Sequence, residues 1–463
     1  TYNADNMLKS VSRGDDSITY EYDALGRLTK ETDNGIIKTY TYDADGNRTS
    51  LSAPDMNIAY NYDLRGRLAK AAFDGGKEIS YEYNADGKVK RETRGGIITE
   101  YEYNEMGMPE KKINKRGTGI ISEYSMLYRA DGNIIRRTKN AGTEGEEITE
   151  YDYNDLGQLI RENETGYKYD LRGNRTEKTV NGEKVTYEYD TNNRLLTERK
   201  GEILTVYGYD KNGNTALKET LRRSYKNGVT AQEEICGEYY EYDNLNRLKR
   251  FTAEETEAEY SYGADGLRKS KKVNGKETKA VWDGGNIIFE TDAAGNIKAK
   301  YYRGAELAII EQGGKAYYYV SDDHGNTEKL ENISGATVNE YKYDAFGNGE
   351  KTEEVYNPFG YCGEYTDSES GMVYLRARYY DPALGRFITE DPAKDDLNWY
   401  VYCGNNPVMC IDPNGMKSYF IVIFSGINTN KGSFDYVAPE ISKQLQEKDP
   451  EAKVNYKTIY PYD

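Results

Sequence analysis

Short segments of alternating apolar and polar residues fill most of the chain, and turn residues separate them. In Ile18-Thr-Tyr-Glu-Tyr22 the larger apolar side chains stand at every second position, which predicts a β-strand with one packed face. Asp23-Ala-Leu-Gly26 follows as a turn, because Gly26 can adopt a positive φ without steric cost. Arg27-Leu-Thr-Lys-Glu31 alternates again as a returning strand. The pattern therefore predicts a β-hairpin.

The hairpin recurs with a period close to 20 residues, and a Tyr-x-Tyr signature marks each copy. One unit buries little surface alone, so tandem units predict a continuous antiparallel sheet over residues 1–350. We interpret residues 111–150 and 216–238, where the spacing loosens, as repeats with lengthened loops, and we expect the sheet to continue through residues 279–340. The second tyrosine of the signature stands at Tyr22, Tyr42, Tyr62, Tyr83, Tyr103, Tyr153, Tyr169, Tyr189, Tyr209, Tyr242, Tyr262 and Tyr343.

Tyrosine supplies apolar surface that the rest of the composition lacks. The mean hydropathy is −0.91 and 30% of the residues are charged, which by themselves are typical of disordered chains. The 47 tyrosines oppose that interpretation, because each can bury a ring while its hydroxyl stays hydrated or bonded. The tyrosine rows have two interpretations: packing between repeats, which we favour, and a stripe that stacks on sugar rings.

Charge and the scarcity of histidine exclude several classes of function. The net charge of −17 argues against sequence-independent nucleic-acid binding by the repeats, because phosphate contacts need a basic face. The single histidine, His324, lies in Asp322-Asp-His-Gly-Asn326, where a turn residue is expected. Histidine-based metal sites and a serine–histidine–aspartate triad are therefore not expected, and no cofactor is predicted.

The four cysteines predict free thiols. None stands in a Cys-x-x-Cys pair, so a zinc site is not expected, and four are too few for a disulfide scaffold in a chain of 463 residues. A pair across a turn between Cys403 and Cys410 is the alternative. The chain contains neither an apolar run long enough to span a bilayer nor a signal peptide, although its natural start is expected to lie before Thr1.

The pattern changes after Met416. Tyr419-Phe-Ile-Val-Ile-Phe424 is a continuous apolar run that predicts a strand buried on both faces. Residues 437–447 carry apolar side chains at a spacing of four and predict an amphipathic helix, and residues 453–460 predict a second strand. This order predicts the beginning of a small α/β domain.

One stretch near the end of the chain carries a specific motif. Tyr374-Leu-Arg-Ala-Arg-Tyr-Tyr-Asp-Pro-Ala-Leu-Gly-Arg-Phe-Ile-Thr-Glu-Asp-Pro392 is followed by Asn398-Trp-Tyr-Val-Tyr-Cys-Gly-Asn-Asn-Pro407 and Ile411-Asp-Pro-Asn-Gly415. Together with the tyrosine repeats, this stretch resembles the Rhs/YD-repeat family over about residues 1–416. The resemblance implies an all-β fold in which YD hairpins of residues 1–350 form a spiral shell or cocoon. It also implies a core-associated segment, residues 351–416, that plugs one end, and a variable effector of which residues 417–463 are the start.

The resemblance further implies self-cleavage just after the Asp-Pro-x-Gly-x motif, between Met416 and Lys417. The chemistry of the family is aspartyl-protease-like, and Asp391 and Asp412 are the matching carboxylates. Two carboxylates in one enclosed site do not both ionise easily and can share a proton, so that one activates water while the other polarises the carbonyl. The family's spacing favours Arg378 over Arg386 as the cation that holds the pair or stabilises the oxyanion.

The plain alternative is that both aspartates only begin Asp-Pro turns. The sequence also departs from the family pattern at Met416, where a leucine is usual, and at Asp395 and Asp396, which replace a glycine-rich tract.

The predicted function is a β-shell of a polymorphic toxin that encapsulates a C-terminal effector and releases it as a single-turnover aspartyl autoprotease. Its predicted partner is its own effector, with cell-surface glycans or a secretion apparatus as further partners, and its location is secreted or at the cell surface. Two alternatives stay open: a surface adhesion module that binds glycans, and a structural scaffold that does not cleave itself.

Overall fold

The computed structural model describes residues 1–226, 229–394, 397–416 and 418–420. Within these ranges the regular structure is β-strand, together with three short 3-10 turns at Asp74–Gly76, Tyr361–Gly363 and Cys403–Asn405. The all-β prediction is confirmed. The predicted helix and second strand of the tail, and most of its first strand, lie outside the described residues.

In the described part of the chain, thirty-three strands belong to one sheet, four form a second sheet and two form a third. The first sheet contains β1 (Ser10–Arg13), β2 (Asp16–Tyr22), β3 (Leu28–Asp33), β4 (Ile36–Tyr42), β5 (Arg48–Ala53), β6 (Met56–Tyr62), β7 (Leu68–Phe73), β8 (Glu78–Tyr83), β9 (Val89–Arg94), β10 (Ile97–Tyr103), β11 (Pro109–Arg116), β12 (Gly119–Tyr128), β13 (Ile134–Lys139), β14 (Glu147–Tyr153), β15 (Leu159–Glu162), β16 (Thr165–Tyr169), β17 (Arg175–Val180), β18 (Glu183–Tyr189), β19 (Leu195–Lys200), β20 (Ile203–Tyr209), β21 (Thr215–Lys226), β22 (Val229–Tyr242), β23 (Leu248–Ala253), β24 (Thr256–Tyr262), β25 (Arg268–Val273), β26 (Lys276–Asp283), β27 (Asn286–Asp292), β28 (Ile297–Arg303), β29 (Leu307–Gln312), β30 (Lys315–Ser321), β31 (Thr327–Asn332), β32 (Thr337–Tyr343) and β33 (Gly349–Glu353). The second sheet contains β34 (Tyr365–Asp367), β35 (Met372–Leu375), β36 (Arg378–Asp381) and β37 (Arg386–Phe387), and the third pairs β38 (Cys410–Ile411) with β39 (Tyr419–Phe420).

Each strand of the large sheet pairs antiparallel with the next strand in the sequence, as tandem hairpins require. In the first repeat, Asp23 Oδ1 accepts the amides of Leu25 at 2.9 Å and Arg27 at 3.0 Å, and Gly26 has a φ of +79°. The Arg27 amide, together with its guanidinium, holds the pKa of the Asp23 carboxyl below its usual value. The turn residues therefore form the hairpin that the sequence predicts.

The two tyrosines of each repeat make different contacts. The hydroxyl of the second tyrosine donates to a main-chain carbonyl of the preceding strand, for example Tyr42 to Leu28 and Tyr83 to Leu68, both at 2.7 Å. The first tyrosine is buried in most repeats. These contacts confirm that the tyrosine rows serve packing. Such buried first tyrosines are Tyr40, Tyr81, Tyr101, Tyr151, Tyr167, Tyr187, Tyr207, Tyr240, Tyr260 and Tyr341.

The sheet winds on itself, so that strands more than 200 residues apart lie side by side. Arg94 Nε donates to the carbonyl of Tyr319 at 3.0 Å, and Lys112 Nζ donates to that of Asp322 at 2.7 Å. Apolar side chains of β4 to β10 share one buried cluster with those of β26 to β30. The sheet is therefore a spiral, and its later strands cover its earlier ones.

The core-associated segment, residues 351–416, packs against several repeats of the spiral. Arg268 of β25 donates to Asp367 of β34, with Nη2 and Oδ1 3.0 Å apart. Tyr400 donates to the carbonyl of Gly213 at 2.7 Å, and Asn405 donates to that of Gly173 at 2.9 Å. A small sheet with its following loops thus closes against the spiral.

One prediction about the loops is wrong. Residues 216–226 and 229–238 do not form a lengthened loop: they extend β21 to 12 residues and β22 to 14. The two strands pair from Leu217 with Tyr239 to Lys226 with Val229, because paired strands satisfy each other's amides and carbonyls. Between β13 and β14 the connection is long, at residues 140–146. The sheet continues through residues 279–340 as expected.

The structure also tests the predictions about His324 and the cysteines. His324 is a turn residue between β30 and β31, and all four cysteines are free. Among the described residues, none belongs to a helix long and apolar enough to cross a membrane.

Candidate active site

The candidate site lies where the hairpin of β35 and β36 meets the loop that ends at Met416. Arg378 is the first residue of β36, and β38 leads directly into Asp412. The amide of Asp391 donates to the carbonyl of Trp399 at 3.0 Å, so the chain returns antiparallel after β37. This return places Asp391 beside Arg378.

The Arg378 side chain is buried at the centre of the site. Its Nη2 lies 3.4 Å from Asp412 Oδ2, and its Nη1 lies 3.9 Å from Asp391 Oδ1. Its Nη1 also donates to the carbonyl of Trp399 at 3.0 Å, and its Nε donates to the carbonyl of Gly415. The structure therefore brings the three predicted residues together around one guanidinium.

Burial lowers the pKa of the Arg378 guanidinium, and the two neighbouring carboxylates oppose that effect. The Phe387 ring covers one face of the guanidinium, with its centroid 3.6 Å from Cζ. A buried cation over an aromatic face is stabilised by its attraction to the ring as well as by its ion pairs. These contacts fix the position of the Arg378 guanidinium.

Asp412 contacts the residue on the amino side of the predicted cleavage bond. It is 2% exposed, and its Oδ1 accepts the amide of Met416 at 3.1 Å. Asn414 Oδ1 accepts the same amide at 3.1 Å. A buried carboxylate therefore lies within one residue of the carbonyl that cleavage would attack.

Asp391 begins a turn and also lies beside Arg378. Its Oδ1 accepts the amide of Ala393 at 2.9 Å, as a residue that begins a turn does. The same oxygen faces Arg378, and the residue is 7% exposed. Capping a turn does not remove Asp391 from the site, because a carboxylate has lone pairs for several partners.

The arrangement holds the groups that acid–base chemistry on the loop would use. Two buried carboxylates flank one cation, and a cavity beside Asp412 is walled largely by aromatic and apolar side chains. Little bulk water reaches such a place, so electrostatic interactions are stronger there than at the surface. The cavity is lined by Tyr361, Cys362, Glu364, Val373, Leu375, Tyr380, Tyr402, Ile411, Asp412 and Pro413.

Arg386, the alternative cation, lies outside the site. Arg386 donates to the carbonyl of Asn193 at 2.6 Å and lies over the Tyr400 ring, so it serves the contact between plug and repeats. Met416 is 42% exposed at the end of the loop. Lys417 and the acidic pair Asp395 and Asp396 lie outside the described residues.

Two residues of the site were not predicted. Arg376 Nη1 donates to the carbonyl of Pro413 at 2.5 Å and forms an ion pair with Glu364. Arg376 stands two positions before Arg378, a spacing that could have placed both near one loop. Nothing in the local sequence marks Glu364, because its partner lies 12 residues away and across a strand pair.

Comparison with known proteins identifies the repeats. The family model of the teneurin YD-shell matches residues 4–116 and 97–408. The tRNA3(Ser)-specific nuclease WapA of Bacillus spizizenii is 30% identical over 69% of this chain, a match that covers 12% of that protein. The double-stranded DNA deaminase toxin A of Burkholderia cenocepacia is 24% identical over 74% of this chain and 24% of its own length.

Solved structures show the same fold. The Tc holotoxin pore of Photorhabdus luminescens superposes with a TM-score of 0.63 and 18% identity, covering 88% of this chain and 24% of that one. The chain spans only a small part of its relatives, about 12% of the length of the WapA nuclease.

Proposed function

The chain belongs to the teneurin YD-shell family, and from that premise we propose that it is the shell of a toxin that encloses a C-terminal effector and releases it by cutting itself after Met416. The effector would begin at Lys417. The shell residues 1–350 and the plug residues 351–416 would remain together after the cut.

One observation carries this proposal. The Arg378 guanidinium lies within 4 Å of a carboxylate oxygen of both Asp391 and Asp412, and it also binds the Gly415 carbonyl, one residue before the proposed cleavage site. A turn-capping aspartate needs no such partner. Aspartyl-type hydrolysis uses two carboxylates beside the peptide that is cut. Here Asp412 Oδ1 accepts the Met416 amide, and Arg378 lies beside both carboxylates, which supports the proposal.

The proposed reaction is peptide hydrolysis. A water oxygen adds to the carbonyl carbon of Met416 while one aspartate takes the water proton. The other aspartate gives a proton to the amide nitrogen of Lys417 as the carbon–nitrogen bond breaks. The products are a chain that ends in the carboxylate of Met416 and a fragment that begins with a free amine. Because the substrate is the protein's own loop, each molecule reacts once.

The names of the relatives support a variable effector. One relative is a nuclease and another is a deaminase toxin, and this chain matches 12% and 24% of them, so those activities belong to the whole proteins. A common shell joined to different effectors would produce this pattern. The export of such a toxin would place this chain outside the cell that produces it.

Glycan binding by the tyrosine rows receives no support from the packing. Many first tyrosines are buried, and many second tyrosines bond to main-chain carbonyls, so sugar rings would find few free aromatic faces there. The experiment must therefore distinguish self-cleavage from the remaining alternative, a structural scaffold that does not cleave itself.

The test follows cleavage during cell-free synthesis of the chain, with products identified by mass. We expect the wild type to yield residues 1–416 and a separate fragment. Asp391→Asn and Asp412→Asn should slow the cut at least about 100-fold, because each removes an acid–base group. Asp381→Asn is the matched control: Asp381 also precedes a proline and caps a turn, with its Oδ1 2.9 Å from the Ala383 amide.

Two results would contradict the proposal. The wild type could remain whole in conditions where it folds, or both variants could be cut as fast as the wild type. The Asp381→Asn control should be cut at the wild-type rate, which shows that a lost turn cap alone does not stop the reaction.

A further inference from the structure

Three consecutive residues of one turn bind three consecutive carbonyls of the loop. Arg376 Nη1 donates to the carbonyl of Pro413 at 2.5 Å, and the amide of Ala377 donates to that of Asn414 at 3.2 Å. The Nε of Arg378 donates to the carbonyl of Gly415. The next carbonyl in the loop is that of Met416, the one that the proposed reaction attacks.

The loop lies so close to this turn that a side chain does not fit at the third position. A Cβ added to Gly415 would lie 2.7 Å from the carbonyl oxygen of Leu375 and 2.9 Å from the amide nitrogen of Arg378. Both atoms are backbone of the two paired strands and cannot move aside as a flexible side chain would. Gly415 therefore lets the loop approach its hydrogen-bond donors.

The first donor is itself anchored. Arg376 has a φ of +61°, so the turn holds its side chain toward the loop at a cost in backbone strain. Its Nη1 also binds Glu364 Oε2, and its Nε donates to the carbonyl of Gly285 at 2.9 Å. Gly285 belongs to the turn between β26 and β27 of the spiral, so the position of the loop depends on the shell.

We propose that Arg376, Ala377 and Arg378 form a carbonyl clamp that selects which peptide bond is cut. The inference rests on the proposed self-cleavage and adds its specificity determinant. The three donors fix the register of the loop. If the loop shifted by one residue, each donor would face a different carbonyl, and a residue with a side chain would replace Gly415 against the Leu375 carbonyl. The bond after Met416 is then the one presented to Asp391 and Asp412. Arg376 acts as a positioning residue, since its guanidinium binds the loop at the carbonyl of Pro413, three residues before Met416.

Two pairs of variants test the clamp in the full chain. Gly415→Ala is compared with Gly404→Ala, since Gly404 also has a positive φ, +57°, but a Cβ there meets nothing within 4 Å. Arg376→Gln is compared with Arg136→Gln, an exposed arginine whose ion pair with Glu150 is on the surface. Cleavage rate and product masses are measured, and thermal unfolding confirms that each variant is folded.

We expect Gly415→Ala and Arg376→Gln to be cut at least about tenfold more slowly, since small misplacements of a reacting group lower rates strongly. Arg376→Gln should also yield fragments that end at residues other than Met416, which a merely destabilised shell would not. The two controls should match the wild type in rate and in product.

The outcomes separate the two proposals. If the wild type stays whole, the proposed function fails and the clamp has no reaction to direct. If the wild type is cut and both clamp variants are cut at its rate and only after Met416, the clamp is overturned while the proposed function stands.

Discussion

At the scale of single residues, Glu162 gives the molecule a distinct response to pH. Burial raises the pKa of its carboxyl to about 7, and the charge of Asp344 adds to that effect, while the amide of Ala345 and the charges of Arg137 and Lys178 oppose it. The residue ends β15, and it contacts the turn that follows β32. Its oxygens accept the Ala345 amide at 3.0 and 3.1 Å.

Because the folded pKa lies above the ordinary value of 4.5, the folded state holds a proton that the unfolded state has released between those two pH values. The free energy of unfolding should therefore fall as the pH rises from about 4.5 to 7. Glu162→Gln, which cannot ionise, should lose less stability over that interval. Melting temperatures of both proteins at pH 5 and pH 8 measure the difference.

Glu164→Gln, an exposed neighbour, controls for the change in total charge. If the melting temperature of Glu162→Gln and that of the wild type change equally with pH, Glu162 does not titrate as described.

The sequence could predict the members of the candidate site better than their contacts. Asp391, Asp412 and Arg378 lie within a matching motif, and the structure places them together. Arg386 stands in the same motif with the same charge, yet it binds the Asn193 carbonyl of the repeats. The acceptor of Arg386 is more than 190 residues away in the chain. The local sequence does not show which distant acceptor an arginine will contact.

At the scale of one element, the repeat is held by a hydroxyl as well as by its backbone. Tyr83 ends β8 and donates to the carbonyl of Leu68, the first residue of β7, while the Arg67 guanidinium lies 4.2 Å from its ring centroid. The bond ties the end of one strand to the beginning of the strand before it. The alternation and the turn residues predict the hairpin, but the spacing of 15 residues between donor and acceptor follows from the fold.

Tyr83→Phe should weaken the hairpin locally by about 1 kcal/mol, because it removes one hydrogen bond to a main-chain carbonyl. Amide hydrogen exchange should rise in β7, β8 and β9 and stay unchanged in distant repeats. Tyr239→Phe is the control, since Tyr239 is exposed. Unchanged exchange around Leu68 in the Tyr83 variant would show that the hydroxyl contributes nothing.

The extension of β21 and β22 shows where element prediction fails. Charged residues cluster at residues 218–226, within the stretch where the loosened repeat spacing predicts a lengthened loop. In an antiparallel pair, however, opposite charges can face each other across the strands, as Lys218 and Glu238 do at 2.9 Å. Composition alone does not distinguish a charged loop from a charged hairpin.

At the scale of the whole molecule, buried ion pairs join the plug to the spiral. Asp367 of β34 is fully buried and binds Arg268 and Lys271 of β25. Burial alone would raise the pKa of Asp367, but the charges of Arg268 and Lys271 outweigh it and lower that pKa. The pair therefore stabilises the fold at neutral pH, and this contribution disappears as the pH falls below the ordinary range of aspartate.

Asp367→Asn should destabilise the protein by about 3–5 kcal/mol, because it leaves buried Arg268 without its carboxylate. Glu21→Gln should cost less than about 1 kcal/mol, since the ion pair of Glu21 with Lys30 is largely exposed. Chemical unfolding of both variants measures the contrast, and equal stabilities would show that the plug is not held by this contact.

The sequence predicted the spiral shell through its resemblance to a family, whereas periodicity alone predicts only strands and turns. Contacts such as Arg94 with the Tyr319 carbonyl depend on how the sheet curves, and no local pattern encodes that curvature. The closure of the sheet by the plug follows in the same way from long-range pairs such as Arg268 with Asp367.

The intact mass of the purified wild-type chain tests the central claim most directly. We predict a polypeptide of residues 1–416 and a fragment of the 47 residues from Lys417 to Asp463, whether or not the two stay associated. A single species of 52.7 kDa, the mass of the uncut chain, in folded protein would contradict self-cleavage and leave a shell that holds its effector without releasing it.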